Sequence, residues 1–228
     1  MTGPLTGTEL CVFDAYGTLF DFNSAVARHR DAIGPKADAL SELWRSKQIQ
    51  YTWLRNGMGV YDKFWQVTGE ALDHCLAVHG ITTASVREKL LGAYLALDPF
   101  PEVPAMLGAL RHAGLRCAIL SNGNPEMLDP MMAASGLAPH FEAVLSVDAV
   151  QVFKPDPRVY RLVEARLGVP PSSVCFLSSN GWDAHGAAHF GFRTVWVNRA
   201  GAPDDNLPGK LATQIRDLSS LPPLLGVS

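Results

Sequence analysis

The chain has 228 residues, 47% hydrophobic and 18% charged, with a formal net charge of -3. A chain of that length buries a sizeable core, as one large domain or a core with an inserted lobe, and the composition excludes a disordered protein. The acidic balance argues against a nucleic-acid binder, which needs a basic surface, and no run approaches the ~18 apolar residues of a membrane span.

Met1-Thr2-Gly3-Pro4 shows no basic segment followed by an apolar stretch, so no leader is expected and the expected location is the cytoplasm. The first element is the apolar run Leu10-Cys11-Val12-Phe13, which reads as a buried strand closed by Asp14-Ala15-Tyr16-Gly17-Thr18-Leu19. Open α/β sheets bind ligands at such strand ends, and an Asp there is a candidate nucleophile. An Asp in that position also caps turns, so Asp14 alone leaves both roles open.

From about residue 24 to 97 apolar residues recur at three and four, as in Leu40, Leu43, Trp44 and then Ile49, Trp53, Leu54. This is helical periodicity, broken at Gly57-Met58-Gly59 and His79-Gly80, and it predicts roughly four helices. Pro99-Phe100-Pro101 forms a stiff return link. Helix and strand then alternate: helix 103–112, strand 115–120, helix 125–135, strand 143–147, helix 158–167, strand 173–177, helix 182–190 and strand 194–198. Strands that are apolar throughout, in βαβα order, predict an α/β fold: a doubly wound, Rossmann-like parallel sheet with an inserted helical cap. The core is expected over 1–20 and 98–228, the cap over 21–97.

Two helix starts point at one sheet edge. Asn124-Pro125 and Asp156-Pro157 each combine a capping residue with a proline suited to the first turn, and the amides there favour an anion. The last stretch, Leu221-Pro222-Pro223-Leu224-Leu225, is expected to be a frayed tail.

Cys11, Cys75, Cys117 and Cys175 have no zinc-ligand spacing, and three of them fall in apolar strands, so buried reduced thiols are expected. His185 and His189 stand at i, i+4, but no acid joins them in a metal motif. They read as surface or packing residues, and no metal site is expected.

The polar residues at four strand ends are Asp14 and Thr18; Ser121 and Asn122; Lys154; and Ser178, Ser179, Asn180 and Asp183. These segments resemble the four signature motifs of the haloacid dehalogenase superfamily, over nearly the whole chain. Most of that superfamily are magnesium-dependent phosphatases with a second acid two residues after the nucleophile. Here that position is Tyr16, and the last motif keeps only Asp183. A phosphatase needs the acid for its leaving group and carboxylates for Mg²⁺. The departures resemble instead the type II (S)-2-haloacid dehalogenases, as do Trp44-Arg45, Tyr51-Thr52-Trp53-Leu54-Arg55 and Phe153-Lys154-Pro155.

The resemblance implies hydrolytic dehalogenation of short (S)-2-haloalkanoic acids to (R)-2-hydroxy acids, without cofactor. Halide leaves as a stable anion, so a second acid is dispensable. Asp14 would attack C2 and form an ester that water cleaves. Lys154 would keep Asp14 ionised and oriented, and Thr18 would hydrogen-bond it. Ser121 would hold the substrate carboxylate. Arg45, Asn122 and the edge of Trp182 would receive the halide. Asp183 and Asn180 would position the hydrolytic water, Ser178 and Tyr160 would hold Lys154 or Asp183, and Tyr16, Phe64 and Trp182 would line an apolar pocket. Ser46 stands where the branch commonly has Gln, leaving more room beside Arg45. The expected partners are the haloacid, the halide product and a second copy of the chain, paired through apolar cap helices. A Mg²⁺-dependent small-molecule phosphatase and a catalytically silent binding protein are the alternatives.

Overall fold

The computed structural model describes residues 5–227; residues 1–4, the segment read above for a leader, and Ser228 lie outside the described residues. β1 (Leu10–Phe13) is buried along its whole length. The chain then turns into β2 (Phe20–Asp21) and a run of helices: α1 (Asn23–Ala27), α2 (Arg30–Ile33), α3 (Ala37–Met58), α4 (Phe64–His79) and α5 (Ala84–Tyr94). β3 (Asp98–Pro99) pairs antiparallel with β2, so the insertion leaves and rejoins the core at one point.

The roughly four helices expected there are five, because the stretch before α3 breaks into two short helices at Arg28-His29 and a turn at Gly34-Pro35-Lys36. Glycine ends the long ones as expected: Gly59 and Gly80 follow α3 and α4 at φ +69 and +66, where a side chain would be strained. α3 and α4 pack their apolar faces together, burying Leu40, Trp44, Phe64, Val67 and Leu72.

Alternation follows through α6 (Val103–His112), β4 (Arg116–Ser121), α7 (Pro125–Ser135), β5 (Ala143–Ser146), α8 (Pro157–Leu167), β6 (Val174–Ser178), α9 (Gly181–Phe190) and β7 (Arg193–Val197). β8 (Thr213–Ile215) and α10 (Leu221–Leu224) complete the described chain. The sheet order is β5-β4-β1-β6-β7-β8, with every pair parallel. Sequence patterning missed β8, which is too short for a period. It also misjudged two elements: β5 is a partly exposed edge rather than an apolar interior strand, and the tail forms α10, with Leu221 buried.

β1 sits at the centre because Leu10, Val12 and Phe13 are wholly buried on both faces. Each such side chain contributes roughly 1.5–3 kcal/mol by leaving water. The chain winds from β1 one way to β4 and β5, then the other way through β6 to β8. That reversal opens a crevice at the carboxyl ends of β1, β4 and β6, where the polar strand-end residues lie. The four cysteines are free and buried, and no helix among the described residues is long and apolar enough to cross a membrane.

Candidate active site

Asp14 lies one residue past β1, and its N–H continues the ladder to Leu177 O at 2.9 Å. The chain doubles back at once, with Leu19 and Phe20 N–H both donating to Ala15 O. Gly17 makes the turn at φ +85, and a Cβ there would stand 2.9 Å from Ser179 Oγ. Arg199 fastens the far end of the turn: it donates to Thr18 O at 2.9 Å while paired with Glu102 and stacked 3.6 Å over the Phe100 ring. The Asp14 carboxylate is therefore presented by a braced backbone.

Three donors hold that carboxylate. Lys154 Nζ donates to Oδ1 at 3.1 Å, while Thr18 Oγ1 at 3.2 Å and Asn180 Nδ2 at 2.9 Å donate to Oδ2. Lys154 also donates to Asp183 Oδ2 at 2.9 Å, and Tyr160 OH donates to Asp183 Oδ1 at 2.8 Å. Lys154, Asp183 and Tyr160 are buried almost completely. Burial alone would lower the lysine pKa, but the charges of Asp14 and Asp183 outweigh it and leave the ammonium above its ordinary value. Burial raises Asp183 above the usual carboxylate range, with Lys154 opposing and Asp14 adding to the rise. Burial and then the Asp183 charge push the Tyr160 phenol well up, so it stays a donor.

Ser178 departs from expectation. Its hydroxyl accepts from Asn180 N at 3.2 Å instead of binding Lys154 or Asp183. As the last residue of β6 it faces the first turn of α9, so the nearest amide takes it. The structure does bring Tyr160 OH onto Asp183 Oδ1.

On the side of the helical insertion, Arg45 reaches the core. Its Nη2 donates to Asn180 Oδ1 at 3.1 Å, its Nη1 to Gln48 Oε1 at 2.8 Å, and its guanidinium packs 5.0 Å over the Phe22 ring. Ser46 lines an outward cleft of 650 Å³ together with Phe22, Asn23, Ser41 and Arg45. Trp182 is partly buried and stands edge-on to Trp53 of α3, with ring centroids 5.4 Å apart. Phe22, whose ring packs against the Arg45 guanidinium, is a residue that sequence reasoning missed.

Ser121 is fully buried at the end of β4 and accepts from Gly123 N at 3.0 Å. Asn122 uses its Oδ1 to accept from Lys154 N at 3.0 Å. Asn124 does not cap its own helix: its Oδ1 accepts from Trp65 N, capping α4 of the insertion instead. Tyr16 packs between Phe64 at 5.9 Å and Tyr94 at 5.4 Å, and its hydroxyl has no hydrogen-bond partner among the described residues. Burial, and then Tyr94, push its phenol well above the ordinary value, so Tyr16 supplies no acid. Gln48, Tyr94, Asn56 and Arg199 were also missed. Gln48 alone carried a signal, standing three residues after Arg45 on one helix face.

The model of the haloacid dehalogenase-like hydrolases matches residues 8–191, from before Asp14 to past Asp183. The chain belongs to that family. Within the haloacid dehalogenase-like hydrolases it is 48% identical over 216 residues to "(S)-2-haloacid dehalogenase 1" of Pseudomonas sp. strain CBS-3, covering 94% of this chain and 95% of that one. A solved dehalogenase with an intermediate complex superimposes with a TM-score of 0.95 at 44% identity, covering 98% and 99% of the two chains. The L-2-haloacid dehalogenase from Xanthobacter autotrophicus with chloropropionic acid covalently bound has a TM-score of 0.88 at 38% identity, over 95% and 98%.

Proposed function

We propose that this hydrolase converts short (S)-2-haloalkanoic acids to (R)-2-hydroxy acids through an ester on Asp14. The observation that carries the reading is Asp14 fixed by Lys154, Thr18 and Asn180 while a neutral phenol, Tyr16, stands two residues on. The chloropropionic acid bound covalently in the Xanthobacter autotrophicus relative supports it.

In the first step an Asp14 oxygen attacks C2 from the side opposite the halogen. The C–O bond forms as the C–X bond breaks, the bonding pair leaves on halide, and C2 inverts. No proton is transferred, so the missing acid at Tyr16 costs nothing. Ser121 and the amides at the start of α7 hold the substrate carboxylate, and Arg45 with Asn122 Nδ2 meets the halide. Phe64 and Tyr16 wall the alkyl side; Trp182, across from Trp53, closes the pocket toward α9. In the second step water attacks the ester carbonyl carbon, guided by Asp183 and Asn180. The bond between the Asp14 carbonyl carbon and the ester oxygen breaks, one proton of the water passes to that oxygen so that the hydroxy acid leaves, and the other is released as the Asp14 carboxylate is restored.

The phosphatase alternative fits the site less well. Lys154 Nζ already bridges Asp14 and Asp183, and among the described residues no cluster of three His, Cys, Asp or Glu could hold a metal. Residues 21–97 act in this reading as a cap that brings Arg45 to the core. Exposed Trp53, Leu54, Met58 and Val60 on and after α3 support a homodimer through that cap. Four buried reduced thiols support a cytoplasmic setting.

Halide release from (S)-2-chloropropionate in the presence of EDTA tests the reading directly. Release with inversion is expected; no halide from any short haloacid overturns it. Sedimentation over a concentration series tests the dimer, and monomer throughout would refute it.

A further inference from the structure

Gln48 sits on α3 one turn after Arg45 and is 1% exposed. Its two amide atoms serve opposite functions. Nε2 donates to Thr68 Oγ1 at 2.6 Å; Oε1 accepts from Arg45 Nη1 at 2.8 Å and from Tyr94 OH at 3.1 Å. That orientation is forced. The Thr68 hydroxyl directs its single proton to Phe64 O at 2.7 Å, so toward Gln48 it can only accept.

Arg45 donates in both directions. With Nη1 on Gln48, Nη2 donates to Asn180 Oδ1 at 3.1 Å. The Asn180 oxygen is thereby occupied, and its Nδ2 turns to Asp14 Oδ2 at 2.9 Å. Donation thus runs outward from Arg45 along two arms, one through Gln48 and Thr68 to the backbone of α4 and one through Asn180 to the nucleophile. An arginine has only donors, so it holds one plane only where a fixed acceptor meets each nitrogen. Ser46, the residue next to Arg45, is exposed and lines the outer cleft. Gln48 is the buried acceptor that does the holding.

We propose that Gln48 is a positioning residue for dehalogenation, which fixes the Arg45 guanidinium for the departing halide and, through Asn180, the carboxylate of Asp14. The proposal rests on the dehalogenase reading. It assigns Gln48 an effect on the bond-breaking step and on halide retention, and little on capture of the substrate carboxylate, which lies at Ser121.

The test compares wild type with Gln48→Met and Gln48→Glu, using (S)-2-chloropropionate and (S)-2-bromopropionate, bromide as product inhibitor, and thermal unfolding as a check on folding. Methionine keeps the volume and removes both polar atoms. It is expected to lower kcat about tenfold or more with KM within about twofold, and to weaken bromide inhibition about fivefold. Glutamate keeps the acceptor but pairs the Arg45 charge, so bromide inhibition is expected to weaken about tenfold. A folded Gln48→Met variant with kcat and bromide inhibition within about twofold of wild type overturns the proposal. Where the methionine variant does not fold, a folded Gln48→Glu variant with unchanged bromide inhibition overturns it. Wild type that releases no halide from any haloacid overturns the dehalogenase reading and this role with it; active wild type with unaltered variants overturns the role of Gln48 alone.

Discussion

The Asn56 side chain pairs with both backbone groups of Phe153, donating from Nδ2 to Phe153 O at 2.7 Å and accepting at Oδ1 from Phe153 N at 3.0 Å. Phe153 precedes Lys154, whose own N–H is held by Asn122 at 3.0 Å. The backbone beneath the ammonium is thus clamped by α3 on one side and by the end of β4 on the other. Because Nζ must meet Asp14 and Asp183 together, a small backbone shift misplaces it for one of them. Asn56→Ala is expected to lower kcat about tenfold and to destabilise the fold by about 1–3 kcal/mol. Steady-state kinetics and urea unfolding check it; unchanged kcat would mean that Asn122 alone suffices.

Ester chemistry on Asp14 has an isotopic consequence. The oxygen that attacks C2 leaves with the product, and the oxygen of water replaces it on the enzyme. In a single turnover in ¹⁸O-water with enzyme in excess, the hydroxy acid is expected unlabelled and the Asp14 peptide labelled, as read by mass spectrometry. Label in the first-turnover product would show direct attack by water. Asp14→Asn is expected to lower kcat by about 10⁴ or more.

Removing Lys154 leaves two facing carboxylates without their shared cation. Lys154→Met is expected to abolish turnover and to destabilise the fold by about 3–5 kcal/mol, the usual cost of breaking one side of a buried ion pair. Denaturant titration at two pH values checks this. The loss should shrink at acid pH, where the raised Asp183 takes up a proton and relieves the unpaired charge.

The pH profile follows from the same two groups. Lys154 is raised in the folded state, so its contribution to stability is complete below about pH 10.4, the unfolded lysine value, and is lost as pH rises through its higher folded value. Asp183 is also raised, so its proton favours folding below about pH 3.9, and that contribution fades as pH rises through the folded value. Activity needs Asp183 ionised and Lys154 charged. The kcat profile is expected to show an acid limb above the ordinary aspartate value and an alkaline limb above the ordinary lysine value. Short-exposure pH jumps measure it, and an alkaline limb below about pH 10 would contradict the role of Lys154.

The sequence alone determined the alternation of apolar strands and helices, because burial on both faces writes itself as short apolar runs such as Leu10-Cys11-Val12-Phe13. It also determined which side chains stand at the strand ends, since Asp14, Ser121 and Ser178 each close such a run, and that Tyr16 replaces an acid. Only the tertiary structure decided strand order and the partners across the crevice. The short β8 has no period to read, Asn124 caps a helix of the insertion instead of its own, and Ser178 takes the amide of Asn180. Asn180 and Asp14 are 166 residues apart, and which amide atom faces the carboxylate depends on Arg45 and Gln48 arriving from a third segment. Hydrogen-bond direction is settled by ångström-scale packing among distant residues, and no local pattern encodes it.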